Sequence, residues 1–439
     1  MFGSEYTSGG NVDNSDSSQR AFGGQAGVTL PFGIRVSLLG RYAKTDNDIP
    51  LDTAVPLILD PDSQQQSEFS TLTLALEQQA FAWWQHRLAL HGTWNNLGFQ
   101  DPFTPGVDSG ALRSQFDTSR KEVEWVHAFK FVPWNTLTAG VEYRGERGEN
   151  VSSFVVGADV FPTRFDKEVW STALFLQDDV VILDRLVLSG GVRYDASSAH
   201  ADIVTPRASA ALLIRETGSK IRGGWGQGFR APTINDLFFP GASNPDLGPE
   251  RSTSWEVGAD QRLWGGRVRL GATYFNTIFR NLIQFDLVQF IPVNVGRAKA
   301  QGVEGTVEVD VLPWLVVTGN VTYTATEDID TGDPLRRIAP WTGSLAVTAE
   351  PRKGLNLFTQ IFLTSSQFEG RDLSGDRITN PGYVRVDLGG SYRIFDRRGA
   401  RPALDFYARL QNLLNQSYAE VKGFQALGLN AIVGLKASY

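Results

Sequence analysis

The chain has 439 residues, a net charge of −7, 45 glycines, 27 phenylalanines, 11 tryptophans and no cysteine. Without cysteine there are no disulfides or zinc–thiolate sites, and a mildly acidic balance with no basic stripe argues against nucleic acid as a partner. A slightly negative mean hydropathy, with no apolar run of about 18 residues, excludes a bundle of transmembrane helices.

Glycine, aromatic residues, threonine and valine favour strands, and strand-like segments follow one another from the N-terminus, beginning at residues 1–9. The reading predicts about twenty strands. Short turns are expected at 31–33, 81–85, 132–135, 182–185, 216–219, 264–266, 312–314, 351–354 and 396–401. Longer polar or Pro/Gly-rich connections alternate with them at 45–67, 98–111, 149–166, 194–203, 231–252, 281–294, 327–336, 368–380 and 418–427. Short turns on one rim and long loops on the other are what an outer-membrane barrel requires.

Three stretches carry the pattern most clearly. From Ser254, Trp255, Val257, Ala259 and Leu263 share one face, while Glu256, Gly258, Asp260 and Arg262 share the other. After a Gly265-Gly266 turn, Val268, Leu270, Ala272 and Tyr274 alternate with Arg267, Arg269, Gly271 and Thr273. In residues 294–311 the apolar parity switches across Gly302, which predicts a β-bulge there, or a loop that ends there. In the last segment Leu429, Ala431, Val433, Leu435, Ala437 and Tyr439 form the apolar set. One face apolar and the other charged suits a sheet with lipid outside and water inside, since in hydrocarbon a spanning sheet must close on itself. The expected fold is therefore all-β, a large antiparallel transmembrane β-barrel of about 20–22 strands in a Gram-negative outer membrane. A soluble β-rich binding protein is the rival. Trp83, Trp84, Trp134, Trp264, Trp314 and Trp341 sit at segment ends, as interfacial girdles would.

Candidate sites are few. His86 and His91 are five apart and face opposite sides of a strand; with His127 and His200 they offer no zinc or iron spacing. No nucleophile elbow is present, so neither an enzyme nor a cofactor is expected. The loop at 45–67 concentrates Asp46, Asp48, Asp52, Asp60 and Asp62. Of these Asp46, Asp48 and Asp52 are weak candidate Ca²⁺ ligands, since the spacing matches no EF-hand and a solvated acidic loop is the better account. Loop aromatics and a polar neighbour, Phe103, Phe238, Phe239, Gln284, Phe285 and Phe290, are candidate ligand contacts or loop-packing residues. Arg267, Arg269, Glu304 and Glu308 would line the lumen, tuning solutes or pairing with one another.

The stretch GFRAPTINDLFFPGASNPDLGPERSTSWEVG (228–258) resembles a signature of TonB-dependent outer-membrane receptors. NVGRAKAQGVEG (294–305), LRRIAPWTGSLAV (335–347) and LQNLLNQSYAEVKGFQALGLNAIVGLKASY (410–439) resemble later segments of the same family. The resemblance covers the half of the chain from Lys220 onward and is nearest to the cobalamin and siderophore receptors. It lacks the frequent Arg after the last loop and ends in Tyr rather than Phe or Trp.

The resemblance implies that residues 1–439 are the β-barrel domain, with the N-terminal plug absent and the first strands missing. It implies uptake of a scarce nutrient, a metal chelate such as a ferric siderophore, or cobalamin. Outer-membrane lipid would surround a monomer, and the TonB complex would act only if a plug were supplied. The alternative is a plugless passive pore or an inactive remnant.

Overall fold

The computed structural model describes residues 2–9, 14–50, 60–286, 289–372, 374–397 and 402–438. Twenty of the described strands belong to one antiparallel sheet. Two compact units divide the chain: residues 1–209, 226–252 and 279–296 in the first, and 210–225, 253–278 and 297–439 in the second.

In the first unit nine strands pair in chain order. They are Phe2–Ser8, Ser17–Thr29, Arg35–Asp48, Gln64–Phe81, Trp84–Asp101, Ala111–Val132, Asn135–Val156, Asp159–Ile182 and Leu186–Ser197. In the second unit the part of Ile291–Leu312 from residue 297 pairs with Leu315–Asp328, and pairing runs in chain order through Trp341–Arg352, Leu355–Thr364, Tyr383–Phe395, Ala403–Gln411 and Asn430–Ser438. Ile203–Ile214, Ser219–Arg230, Glu250–Leu263 and Val268–Asp286 belong to the same sheet.

Eight of the nine predicted short turns lie between strands as expected, and in the ninth, 396–401, residues 398–401 lie outside the described residues. Several use left-handed backbone, which matches the twist of the flanking strands. Leu183 and Asp184 have φ of 52° and 54°, and Gly265 and Gly266 have 68° and 90°.

Some predicted loops are strand instead. Residues 149–166 are paired throughout, closing in a turn between Val156 and Asp159. The strands flanking that turn have 22 and 24 residues, whereas about 9–11 suffice to cross a bilayer. The surplus is longer than a crossing needs, so strict alternation of apolar and polar residues is not demanded of it. Likewise 281–294 is mostly strand, to Asp286 and again from Ile291.

The bulge expected at Gly302 is absent on the side that faces Leu315–Asp328: the register runs unbroken from Ala298–Asp328 to Asp310–Val316. The parity switch arises because Arg297 and Lys299 stand near the long-loop end of a 22-residue strand, where the lipid-side face need not be apolar. Gly302 is required for a different reason. A Cβ there would lie 2.0 Å from the Tyr323 carbonyl oxygen and 2.7 Å from the Phe275 ring.

The distribution of apolar groups is inverted relative to a water-soluble sandwich, which buries its large side chains between two sheets. Among the described residues only ten apolar residues are buried, six of them alanine. Large apolar side chains point outward instead, among them Leu174, Val321, Val433 and Leu435, the last two 68% and 64% exposed. Beside Val321 and Leu435 the strand neighbours on the opposite face, Asn320, Thr322, Gly434 and Lys436, are small or polar. At the short-turn rim Phe81, Trp83, Phe129 and Phe131 stack with neighbouring ring centroids 5.2–6.3 Å apart, and Trp134, Trp264 and Trp314 are exposed at other short turns. Amphipathic rings are favoured at such an interface.

Candidate functional site

The connection between Ser219–Arg230 and Glu250–Leu263 folds into a defined structure. Thr233 caps a one-turn helix, Ile234–Phe238: its hydroxyl accepts from the Asp236 N–H, and the Asp236 carboxylate accepts from the Thr233 N–H. Such reciprocal capping satisfies two otherwise orphaned donors. Leu237 and Leu247 are buried and form a small apolar centre for the loop.

The residues that carry the family resemblance pin this loop. Arg230 makes a two-pronged ion pair with Glu250, at 2.8 and 2.5 Å, and Glu250 also accepts the Ile283 N–H at 2.9 Å. The Asn244 side chain donates to the Pro292 carbonyl at 3.1 Å. Asn294 brackets Gly248, accepting its N–H at 2.6 Å and donating to its carbonyl at 2.8 Å.

The helix then lies against the charge-bearing face of Asn135–Val156 and Asp159–Ile182. Ile234 packs over Gly148, where a Cβ would come within 3.0 Å of it. Phe239 meets Phe165 edge to face at 6.1 Å, and Phe165 meets Phe116 at 6.1 Å. The Lys167 ammonium sits 5.6 Å over the Phe238 ring. Phe238 and Phe239 are thus half-buried against the strands.

The other predicted contact residues lie elsewhere. Phe285 and Phe290 are exposed at the tip of the Val268–Asp286 hairpin, ring to ring at 5.6 Å, with Gln284 exposed beside them. Phe103 is exposed on the 102–110 loop. A polar cleft of about 580 Å³ opens near the long-loop rim, lined among others by Asp46, Asp48, Gln66, Gln100, Arg113 and Ser152.

Asp46 and Asp48 end their strand and, among the described residues, join no group of three potential ligands: Asp46 accepts from the Gln66 side chain at 2.7 Å, and Asp48 donates its N–H to the Asp16 carbonyl at 2.8 Å. Asp52 lies outside the described residues. The loops gather Asp60, Asp101 and Asp108 instead, with carboxylate oxygens within 4.8 Å of one another. Asp60 is buried and accepts the N–H groups of Asp62 and Ser63, both at 3.0 Å. Asp62 Oδ1 and Asp101 Oδ1 are buried without a donor. The approach of loop 60–63 to loop 102–110 could not be read from either stretch alone.

At the loop-side end of its strand, Asp101 is pushed up to about 7, first by burial and then by the charges of Asp60 and Asp108. A raised carboxyl adds stability that is complete below its ordinary value and is lost as pH rises through the folded value. Proteolysis of loop 102–110 is therefore expected to speed up between about pH 6 and about pH 8, and Asp101→Asn to flatten that dependence.

Of the predicted lumen charges, Arg269 bridges Glu308 and Asp310, the latter at 3.1 Å. It lines a 650 Å³ cleft near the short-turn rim with Lys220, Asp260, Glu308 and Asn320. Glu304 lies on the same face as Glu308 and opposite Thr322. Arg267 is exposed in the turn itself, its carbonyl accepting the Asp310 N–H.

Comparison with known proteins agrees with this architecture. The family description "TonB dependent receptor-like, beta-barrel" matches residues 4–413. The chain is 29% identical over 213 residues to the vitamin B12 transporter BtuB of Vibrio vulnificus, covering 45% of this chain and 32% of that protein. It is 26% identical over 314 residues to the ferrienterobactin receptor of Escherichia coli, covering 61% of this chain and 40% of that one. The match thus spans less than half the length of these curated relatives.

Among solved structures it superposes on the copper transporter OprC with a TM-score of 0.81 at 15% identity, covering all of this chain and 76% of the other. It superposes on the Pseudomonas aeruginosa pyoverdine receptor FpvA with a TM-score of 0.79 at 15% identity, covering all of this chain and 67% of the other. The large antiparallel sheet, the outward apolar face and the match over residues 4–413 agree: the chain is an outer-membrane protein of the TonB-dependent receptor β-barrel family.

Proposed function

We propose that residues 1–439 form the barrel domain of a receptor that takes up a scarce nutrient, either a ferric siderophore or cobalamin. Outer-membrane lipid surrounds the barrel, which acts as a monomer, and work from the TonB complex requires a plug domain. The observation that carries this reading is the pinned 231–249 loop, folded against the charge-bearing face by Asn244, Leu247, Glu250 and Asn294. A wall that only sealed lipid from water would have no use for a capped, anchored loop on its wet face. The vitamin B12 transporter and the ferrienterobactin receptor among its relatives support this class of cargo.

Exposed Phe103, Phe285 and Phe290, with Gln284, offer rings and an amide to a bulky chelate, and Phe238 and Phe239 hold the loop in place. Arg267, Arg269, Glu304 and Glu308 lie on or beside the path of a solute through the lumen.

The test is titration of the detergent-solubilised chain with cyanocobalamin, ferric catecholates and ferric hydroxamates, followed by tryptophan quenching. One class is expected to bind saturably. Replacing Phe285 and Phe290 together by alanine is expected to weaken it about tenfold or more, since a truncated aromatic anchor commonly costs more than about 1 kcal/mol. No saturable binding by any of them, together with large steady conductance in planar bilayers, would favour a passive pore.

A further inference from the structure

We propose that the inner wall carries a site for one first-row divalent cation of the Zn²⁺ type, held by His91, Glu122 and Glu124. His91 lies on Trp84–Asp101 directly opposite Glu122 on Ala111–Val132, and Glu124 is opposite Ala89. All three share the face opposite to the outward Leu88 and Leu90. Ala89, fully buried, is too small to hold His91 and Glu124 apart, and the side chains converge: one ligating atom from each of the three lies within 4.8 Å of the others.

The surroundings orient these groups as the outer shell of a metal site does. The His91 ring is held at Nδ1 by the Thr73 hydroxyl at 3.0 Å, and Thr73 is His91's cross-strand partner on Gln64–Phe81. Nε2 is then the nitrogen left to coordinate. Each carboxylate has a guanidinium near one oxygen: Arg144 Nε lies 3.0 Å from Glu122 Oε2, and Arg87 Nη1 lies 3.9 Å from Glu124 Oε2.

The charge count points the same way. The ion pairs on this patch join five carboxylates, Glu77, Glu122, Glu124, Glu142 and Asp195, to three guanidiniums, Arg87, Arg144 and Arg193. Two negative charges are left over within these pairs, the number a divalent ion would neutralise. In the next row Arg120 and Glu146 pair with each other at 2.8 Å.

One imidazole with two carboxylates is a donor set for Zn²⁺ and its neighbours rather than for Mg²⁺ or Ca²⁺, which prefer oxygen alone. Tetrahedral bonds of about 2.0–2.2 Å place ligand atoms about 3.4 Å apart, so closure by about 1 Å through side-chain rotation completes the set. Three protein ligands leave a fourth position facing the lumen, open to water or a passing ligand.

The test uses the full chain in detergent, stripped with a chelator and titrated with ZnCl₂ by calorimetry, with Cu²⁺ as a paramagnetic reporter. One Zn²⁺ per chain is expected, weakened tenfold or more by His91→Ala and by Glu122→Gln. The Cu²⁺ spectrum is expected to show a single coordinating nitrogen that disappears in His91→Ala. Glu122→Gln keeps the side-chain shape and so separates loss of a ligand from loss of the sheet, which circular dichroism monitors. His127→Ala serves as the control. That imidazole lies on the outer face with His86, ring centroids 6.1 Å apart, and its loss is expected to change neither readout. Absence of stoichiometric Zn²⁺ binding, or binding removed by His127→Ala and kept in His91→Ala, would overturn the site.

Discussion

Arginine at position 321 is expected to destabilise the chain by about 2–4 kcal/mol in lipid, the depth-dependent cost of a cation on a barrel's lipid face. The same substitution one residue on, at Thr322, is expected to cost less than about 1 kcal/mol, because lumen positions tolerate charge. The two residues are neighbours on Leu315–Asp328, six and seven positions beyond its short-turn end. Val321 points outward, 49% exposed, in line with Tyr323, whereas Thr322 faces Glu304 across the strand pair. Both residues are β-branched and paired on both sides in the same ladder, so the difference reports chiefly the solvent on each face. Equilibrium unfolding in urea from lipid vesicles measures it, and equal costs at the two positions would mean equal surroundings.

The second large effect is expected at Gly302. Alanine there would place its methyl carbon 2.0 Å from a backbone carbonyl oxygen, and a carbonyl held in the ladder cannot move aside as a flexible side chain can. Overpacking of this kind costs about 1–3 kcal/mol and occasionally more, and this position belongs at the upper end. Gly190→Ala is the control, since nothing lies within 4 Å of its would-be Cβ; it is expected to change stability by no more than about 0.5 kcal/mol. The heat needed to convert the folded to the unfolded electrophoretic form reports both variants.

These cases show which part of the architecture was legible in the sequence. Most turns were readable because alternation stops abruptly at Gly, Pro or Asp, as at Leu183-Asp184 and Gly265-Gly266, whereas 81–85 was marked by its paired tryptophans. The membrane-spanning parts of strands were readable because lipid enforces an apolar side on every second residue. Where strands rise above the bilayer that rule lapses, and so the paired segments 149–156 and 159–166 had the look of a polar loop. The same lapse made Arg297 and Lys299 resemble a change of register at Gly302.

The site was less legible. The motif 228–258 indicated a family feature but not that Asn244, Glu250 and Asn294 are its fastenings, because their partners lie 20 to 48 residues away. Phe238 and Phe239 looked like exposed loop aromatics, yet the helix turns them against Phe165 and Lys167. His91 has the carboxylates of Glu122 and Glu124 on the next strand, 31 and 33 positions on, and only the register brings the three together. The acidic loop drew notice to Asp46, Asp48 and Asp52, while Asp60 finds its carboxylate neighbours on a loop beyond the next hairpin.

A membrane-spanning barrel wall requires a different medium on each face. The chain has no native cysteine, so single replacements Val321→Cys and Thr322→Cys can each carry one spin label in lipid vesicles. Collision with oxygen, which concentrates in hydrocarbon, is expected to dominate at 321, and collision with a water-soluble nickel chelate at 322. Equal access of the nickel chelate to both labels, or exclusion of both probes from both positions, would contradict a sheet with lipid on one side and water on the other.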